Sequence, residues 1–231
     1  MEKLRVKVWD LPTRLFHWLL ATLVAAAFAT GFIGGNWIEW HGKLGLAITG
    51  LLAFRLVWGV IGSTYARFAQ FVPGPARVLA YLRGQWHGLG HNPLGAFSVL
   101  GLLALISFQV ASGLVSDDNI SFTGPLKNLV SQDAADWMTG LHRLNVWLLA
   151  GLACLHVASI VFYAVVKKDY LLPPMITGTK LVDDPALVPA RGGGWLAFIA
   201  AVAIAAGATW AANGGLNPLP PPPPPQTAPA W

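Results

Sequence analysis

Apolar residues in this chain come in long unbroken blocks, not in alternation with polar ones. Five blocks stand out, at about Leu15–Ile33, His41–Ile61, Leu94–Val115, Trp137–Val166 and Trp195–Ala212, each bounded by polar residues, Gly, Pro or Trp. A helix rises about 1.5 Å per residue, so about twenty such residues cross a hydrocarbon core of roughly 30 Å. The pattern predicts five transmembrane helices and an all-α integral membrane protein. Trp9, Trp18, Trp37, Trp40, Trp58 and Trp147 line the predicted interfaces or the bundle and are expected to act as anchors, with packing on a cofactor's edge as the alternative for one or two.

Composition sharpens this picture. Of 231 residues, 55% are apolar and only 11% charged, so the lipid bilayer is the first partner implied. A net charge of +5 could suggest nucleic acid, but the placement of the basic residues argues against it. Lys3, Arg5, Lys7 and Arg14 precede span one; Arg55, Arg67, Arg77 and Arg83 end or follow span two; Lys167, Lys168, Lys180 and Arg191 separate spans four and five. Only Lys43, Lys127 and Arg143 fall on the other side, so the positive-inside rule puts the N-terminus in the cytoplasm and the C-terminus outside. The loop Ser116–Asp136, with four aspartates, is then external. Span one also reads as a signal peptide, but it is longer than a usual apolar core of one, and its removal would discard His17.

Cys154 is the single cysteine, which excludes a disulfide framework, and no CxxCH is present, which excludes covalent c-type haem attachment. The ending LNPLPPPPPPQTAPAW predicts an extended polyproline tail, either a spacer or a docking strand for an external partner.

The histidines carry the chemistry. Ionisable groups within spans are costly and usually functional, and four of the six histidines lie in or at the edge of spans: His17, His41, His142 and His156. His142 and His156 are fourteen residues apart, which returns a helix to within roughly 40° of one face about 21 Å further along. Given the directions of the spans, His17 shares a depth with His156, towards the cytoplasm, and His41 shares one with His142, towards the outside. Two depth-matched pairs are what two bis-histidine haems b in a helix bundle require. Zinc or copper would want three or four ligands at one depth. Arg55, fourteen residues after His41, reaches the inner level and is a candidate partner for a haem propionate, with snorkelling to the interface as the alternative; Lys43 and Arg143 are candidates at the outer level. His87 and His91, in QWHGLGHNP, read as a loop because Gly88, Gly90 and Pro93 interrupt any helix, with quinone or partner contact as their alternative role.

The segments VWDLPTRLFHWLL, WHGKLGLAITGLLAFRLVWGVIGSTYARF and GHNPLGAFSVL, followed by the two histidines of span four, resemble bacterial diheme b-type cytochromes, the group of bacterial cytochrome b(561)-like proteins and membrane subunits of nickel–iron hydrogenases. The resemblance covers about residues 6–170. It implies a four-helix haem-binding bundle whose first, second and fourth helices ligate two haems b through His17, His41, His142 and His156, with no ligand on the third. It also implies electron transfer between a quinone pool and a redox partner, or across the membrane between the two haems.

The expected organisation is thus a diheme four-helix transmembrane domain at 1–170, a cytoplasmic linker at 171–194, a fifth transmembrane helix at 195–212 and a Pro-rich external tail at 213–231. The partner would be a periplasmic c-type cytochrome or an oxidoreductase subunit, and quinone or quinol a further ligand. A histidine-relay transporter or channel, or a haem-free membrane anchor of a complex, are the alternatives. A relay would need polar groups between the histidines, and span four offers only Asn145 as a strong one.

Overall fold

The computed structural model describes residues 4–184 and 186–217. Strand β1 (Leu4–Lys7) leads into helix α1 (Leu11–Ile33), followed by α2 (Ile38–Ile61), two short helices α3 (Phe68–Phe71) and α4 (Pro75–Leu82), then α5 (Pro93–Val115) and α6 (Gln132–Val165). Helix α7 (Leu172–Thr177), strand β2 (Thr179–Val182) and helix α8 (Trp195–Trp210), which ends in a π turn at Ala211–Gly215, complete the order. Among the described residues five helices are long and apolar enough to cross a membrane, and the protein is an all-α, multi-pass membrane protein. Their outer faces carry exposed Phe32, Val60, Leu148, Val157 and Leu196, which suits a lipid surround. The proline tract Pro220–Pro225 lies outside the described residues.

Polar caps start the helices earlier than the apolar blocks do. Asp10 accepts from Thr13 N at 2.6 Å, Asn92 from Gly95 N at 2.7 Å and Ser131 from Ala134 N at 3.3 Å. These bonds satisfy N–H groups that have no intrahelical partner. Span one thus begins at Leu11, and span four at Gln132, because a cap is polar and escapes a count of apolar residues.

Helix α2 is the hub, packing against α1, α5 and α8, while α6 packs on α5. The core unites Phe16, Leu20, Ile48, Leu52, Phe54, Trp58, Ile106 and Leu149 with Ala201 from α8. The fifth span therefore shares the bundle's core. At Gly50 it approaches so closely that a Cβ would lie 2.5 Å from Thr209 Oγ1. Trp58 is a core residue, not an interfacial anchor: it is fully buried, stacks on Phe54 at 5.8 Å and donates its indole N–H to Asp10 Oδ2 at 3.0 Å.

Segment 171–194, expected as a linker, carries structure of its own. β2 pairs antiparallel with β1 in the register Leu4↔Val182 to Lys7↔Thr179. Gly178, at φ +85°, turns the chain between α7 and β2, where its carbonyl accepts from Val8 N and Trp9 N. Further along, Thr64 N donates to Arg191 O at 2.8 Å and Tyr65 OH to Val188 O at 2.5 Å. The segment folds as a cap over one end of the bundle, here termed the sheet face, opposite the loop face formed by residues 116–131.

Asp10 thus caps α1 and holds Trp58 in one stroke. Asp10→Ala is expected to destabilise the fold by about 2–4 kcal/mol, from a lost cap and a buried indole N–H left without an acceptor. Asp10→Asn, which keeps an acceptor for the cap, should lose less. Thermal unfolding in detergent, followed by circular dichroism, measures both; equal losses would count against the cap.

Candidate functional site

Near the loop face, α2 and α6 bring His41 and His142 together. Their ring centroids are 6.0 Å apart, with the planes at 84°. Each ring is fixed from behind. His41 Nδ1 lies 2.9 Å from Ala27 O, and His142 Nδ1 lies 2.9 Å from Gln109 O and 3.1 Å from Ser112 Oγ. A carbonyl accepts only, so both rings carry their proton on Nδ1, which leaves the Nε2 lone pair of each available to a metal. Two glycines make room. A Cβ on Gly31 would sit 3.0 Å from His41 Nδ1, and one on Gly113 would sit 2.9 Å from His142 Cε1.

The pair lines a cavity of about 720 Å³ enclosed by α1, α2, α5 and α6, with Val24, Phe28, Ile48, Ile106 and Leu149 among its apolar walls. Lys43 and Arg143 lie at its polar end. Lys43 pairs with Glu39 at 2.6 Å and lies over Trp40, while Arg143 also borders a smaller cavity beside Asp117, Asp118 and Asp136. Asp118 closes the loop by accepting backbone N–H bonds from Ile120, Ser121 and Phe122 at 2.8–2.9 Å. Those bonds, that from Phe122 foremost, hold its carboxyl down to about 2, below the usual range.

Among the described residues no three His, Cys, Asp or Glu side chains converge as a metal cluster. Paired histidines therefore suit a metal whose remaining ligands arrive with a cofactor. Metal–nitrogen bonds of about 2 Å on opposite sides of one ion put imidazole centroids roughly 6 Å apart, as found here. The cavity is also of the size and apolar character of a cofactor pocket. A haem fits this donor set.

Towards the sheet face, His17 of α1 and His156 of α6 lie within electrostatic range of each other. His156 Nδ1 is 3.3 Å from Ser98 Oγ, whereas His17 Nδ1 is buried with no partner among the described residues. Arg55 of α2 is buried at this level, 3% exposed, and does not snorkel. Its guanidinium lies over Phe68 at 4.7 Å, with Phe71 and Phe16 at 5.8 and 5.9 Å. His87 and His91 sit in the coil before α5, and His91 is packed between Trp9 and Phe71 at 4.7 and 4.8 Å.

Sequence reasoning left α5 without a role at the histidines, and the structure gives it one. Ser98 and Ser112 meet His156 and His142 respectively, and both pairs are fourteen residues apart on antiparallel helices. That shared interval was the available signal. Asn145 is spent on α5, donating to Leu105 O at 3.0 Å and Gln109 Oε1 at 2.7 Å, and Gln109 Nε2 donates to His142 O at 3.1 Å. It ties helices together and leaves no free polar step between the histidines.

A family model described as prokaryotic cytochrome b561 matches residues 8–178. The chain is 21% identical over 216 residues to a protein of Escherichia coli (strain K12) named probable Ni/Fe-hydrogenase 1 B-type cytochrome subunit, covering 75% of this chain and 89% of that one. Proteins named probable Ni/Fe-hydrogenase B-type cytochrome subunit from Azotobacter chroococcum mcd 1 and Azotobacter vinelandii are 26% and 27% identical, each match covering 79% of this chain and 93% of theirs. No solved structure matches.

Proposed function

The chain belongs to the prokaryotic cytochrome b561 family, and from that premise we propose that it is a two-haem electron-transfer subunit of a bacterial inner membrane. Membrane electron transfer with haem b follows from the family. The haem reading rests on one observation above all: His41 and His142 lie with ring centroids 6.0 Å apart in a cavity of about 720 Å³, each with Nδ1 tied to a carbonyl. His17 and His156 form the second pair at the other depth, in electrostatic range of each other and with Ser98 on His156. Haem b, when bound, supplies a one-electron carrier at each level.

The residues determine what such a carrier does. Two imidazoles from the chain would occupy both positions a haem iron has to offer, which favours electron transfer over oxygen chemistry. Ala27, Gln109 and Ser98 fix the ring orientations, and the apolar walls keep the surroundings of low dielectric. Lys43 and Arg143 at the outer level, and Arg55 at the inner one, offer cations to propionates. With the N-terminus cytoplasmic and the C-terminus periplasmic, the outer pair lies near the periplasm. There a quinone or quinol and a redox partner can exchange electrons with it, the partner being a periplasmic c-type cytochrome or an oxidoreductase subunit such as a hydrogenase.

A pyridine haemochrome spectrum with a haem-to-protein ratio on purified protein tests this reading. Two haems b per chain are expected. A ratio of one would remove the wire, and a colourless folded protein would return the chain to a haem-free anchor.

A further inference from the structure

A buried cation without an anion marks a place where one belongs. Arg55 is 3% exposed, and its Nη1 is buried without a hydrogen-bond partner among the described residues. Taking a guanidinium out of water costs several kcal/mol unless it is paired. Asp10 is the carboxylate within electrostatic reach, but it accepts from Thr13 N and the Trp58 indole and makes no ion pair with Arg55. No carboxylate among the described residues forms an ion pair with Arg55. Phe16, Phe68 and Phe71 surround it without neutralising it.

A second orphan lies beside it. His91 is half-buried, held between Trp9 and Phe71, and its Nδ1 is buried without a partner. Phe71 touches both groups, so one ring seats the guanidinium and the imidazole together. Burial first, then the nearby Arg55, His156 and His17, push His91 down to about 3, so it is neutral at physiological pH and offers a single N–H. Arg55 Nη1 and, in the Nδ1–H tautomer, His91 Nδ1 are thus two neighbouring donors without an acceptor among the described residues, at the depth of His17 and His156.

We propose that Arg55 and His91 form a two-donor clamp for a carboxylate, and that this carboxylate is a propionate of the haem held by His17 and His156. The proposal rests on the two-haem reading above and adds to it His91, from a loop that supplies no iron ligand. Arg55 contributes charge and His91 a hydrogen bond, while Trp9 and Phe71 hold the imidazole in place. The clamp also accounts for a cation at this depth that does not snorkel to the interface.

The test uses the full-length chain, with haem content and the midpoint potential of each haem as readouts. His17→Ala identifies the inner haem as the one it removes. Arg55→Gln and His91→Phe should each lower that haem's potential and leave the other unchanged, because a cation or donor on a propionate favours the electron-rich reduced state. For Arg55→Gln the expected change is about tenfold in the reduction equilibrium, or about 59 mV for one electron. His91→Phe should shift less, and His91→Gln, which keeps an N–H donor, should recover most of that loss. Arg55→Lys, which keeps the cation, guards against a variant that fails only by misfolding. Reconstitution with haem dimethyl ester, which has no free carboxylate, should bring wild type and His91→Phe to one inner potential, while the charge of Arg55 still acts on the iron through space.

A shift of the other haem, no shift in His91→Phe, or a His91→Phe difference that persists with the ester would overturn the clamp. A wild-type chain lacking the haem that His17→Ala removes would overturn clamp and two-haem reading together, and is seen from haem content before any potential is read. A normal haem count with unmoved potentials overturns the clamp alone.

Discussion

Replacing His142 with alanine is expected to take the protein from two haems b per chain to one, and adding His41→Ala is expected to remove no more. The single change deletes one of two imidazoles from the cavity of about 720 Å³, leaving its haem one protein ligand. The second change then acts on a site already emptied, so the two losses cannot add. The double variant His142→Ala with His17→Ala strikes both levels and should leave none. His156→Ala with His17→Ala should again leave one, now the outer haem. His87→Ala, outside both pairs in the coil before α5, should keep two. The pattern of doubles decides the pairing in a way that single variants do not. If His142→Ala with His41→Ala lost both haems, the pairs would be crossed and the depth argument wrong.

The fold was open to reading because a membrane simplifies the code. Twenty apolar residues have few places to go, and a fourteen-residue interval on a helix has only one geometry, so the spans and the faces of His142 and His156 follow from counting. What holds those faces in place was less open. Two of the four Nδ1 partners are main-chain carbonyls, of Ala27 and Gln109, and every residue has one. Such partners have no signature in residue type. Ser98 and Ser112 do have one, but serine in a span usually bonds its own helix, as Ser112 Oγ also does to Phe108 O at 2.8 Å. The cap at 171–194 was hidden for another reason: four-residue strands such as LRVK and TKLV are too short to announce themselves, and their pairing joins residues far apart in the chain. His91 belongs to the same class. Its surroundings, Trp9 and Phe71, come from two different elements, so the loop-like sequence around it could not show that it is packed.

Gly113→Ala is expected to weaken the outer haem site selectively, because it tests the orientation of a ring and not its presence. An added Cβ would sit 2.9 Å from Cε1 and 3.2 Å from Nδ1 of His142, closer than carbon and nitrogen tolerate. The ring must turn or shift. Either motion strains its bond to Gln109 O and changes the 84° angle to His41. Overpacking of this kind costs about 1–3 kcal/mol, which is roughly fivefold to 150-fold in retention of the outer haem. Gly31→Ala, 3.0 Å from His41 Nδ1, should act on the same haem from the other side. Gly151→Ala is the control: it lies on α6, exposed, with no atom within 4 Å of the new Cβ, and should keep both haems. The protein that keeps its haem should still report the change. Perpendicular imidazoles donate into different iron d orbitals and leave them nearly equal in energy, so the ferric outer haem should give a highly anisotropic low-spin resonance. In Gly113→Ala that resonance should move towards the ordinary rhombic form as the planes turn towards each other. An unchanged spectrum and haem content in both glycine variants would mean that the histidine rings are not held by these contacts.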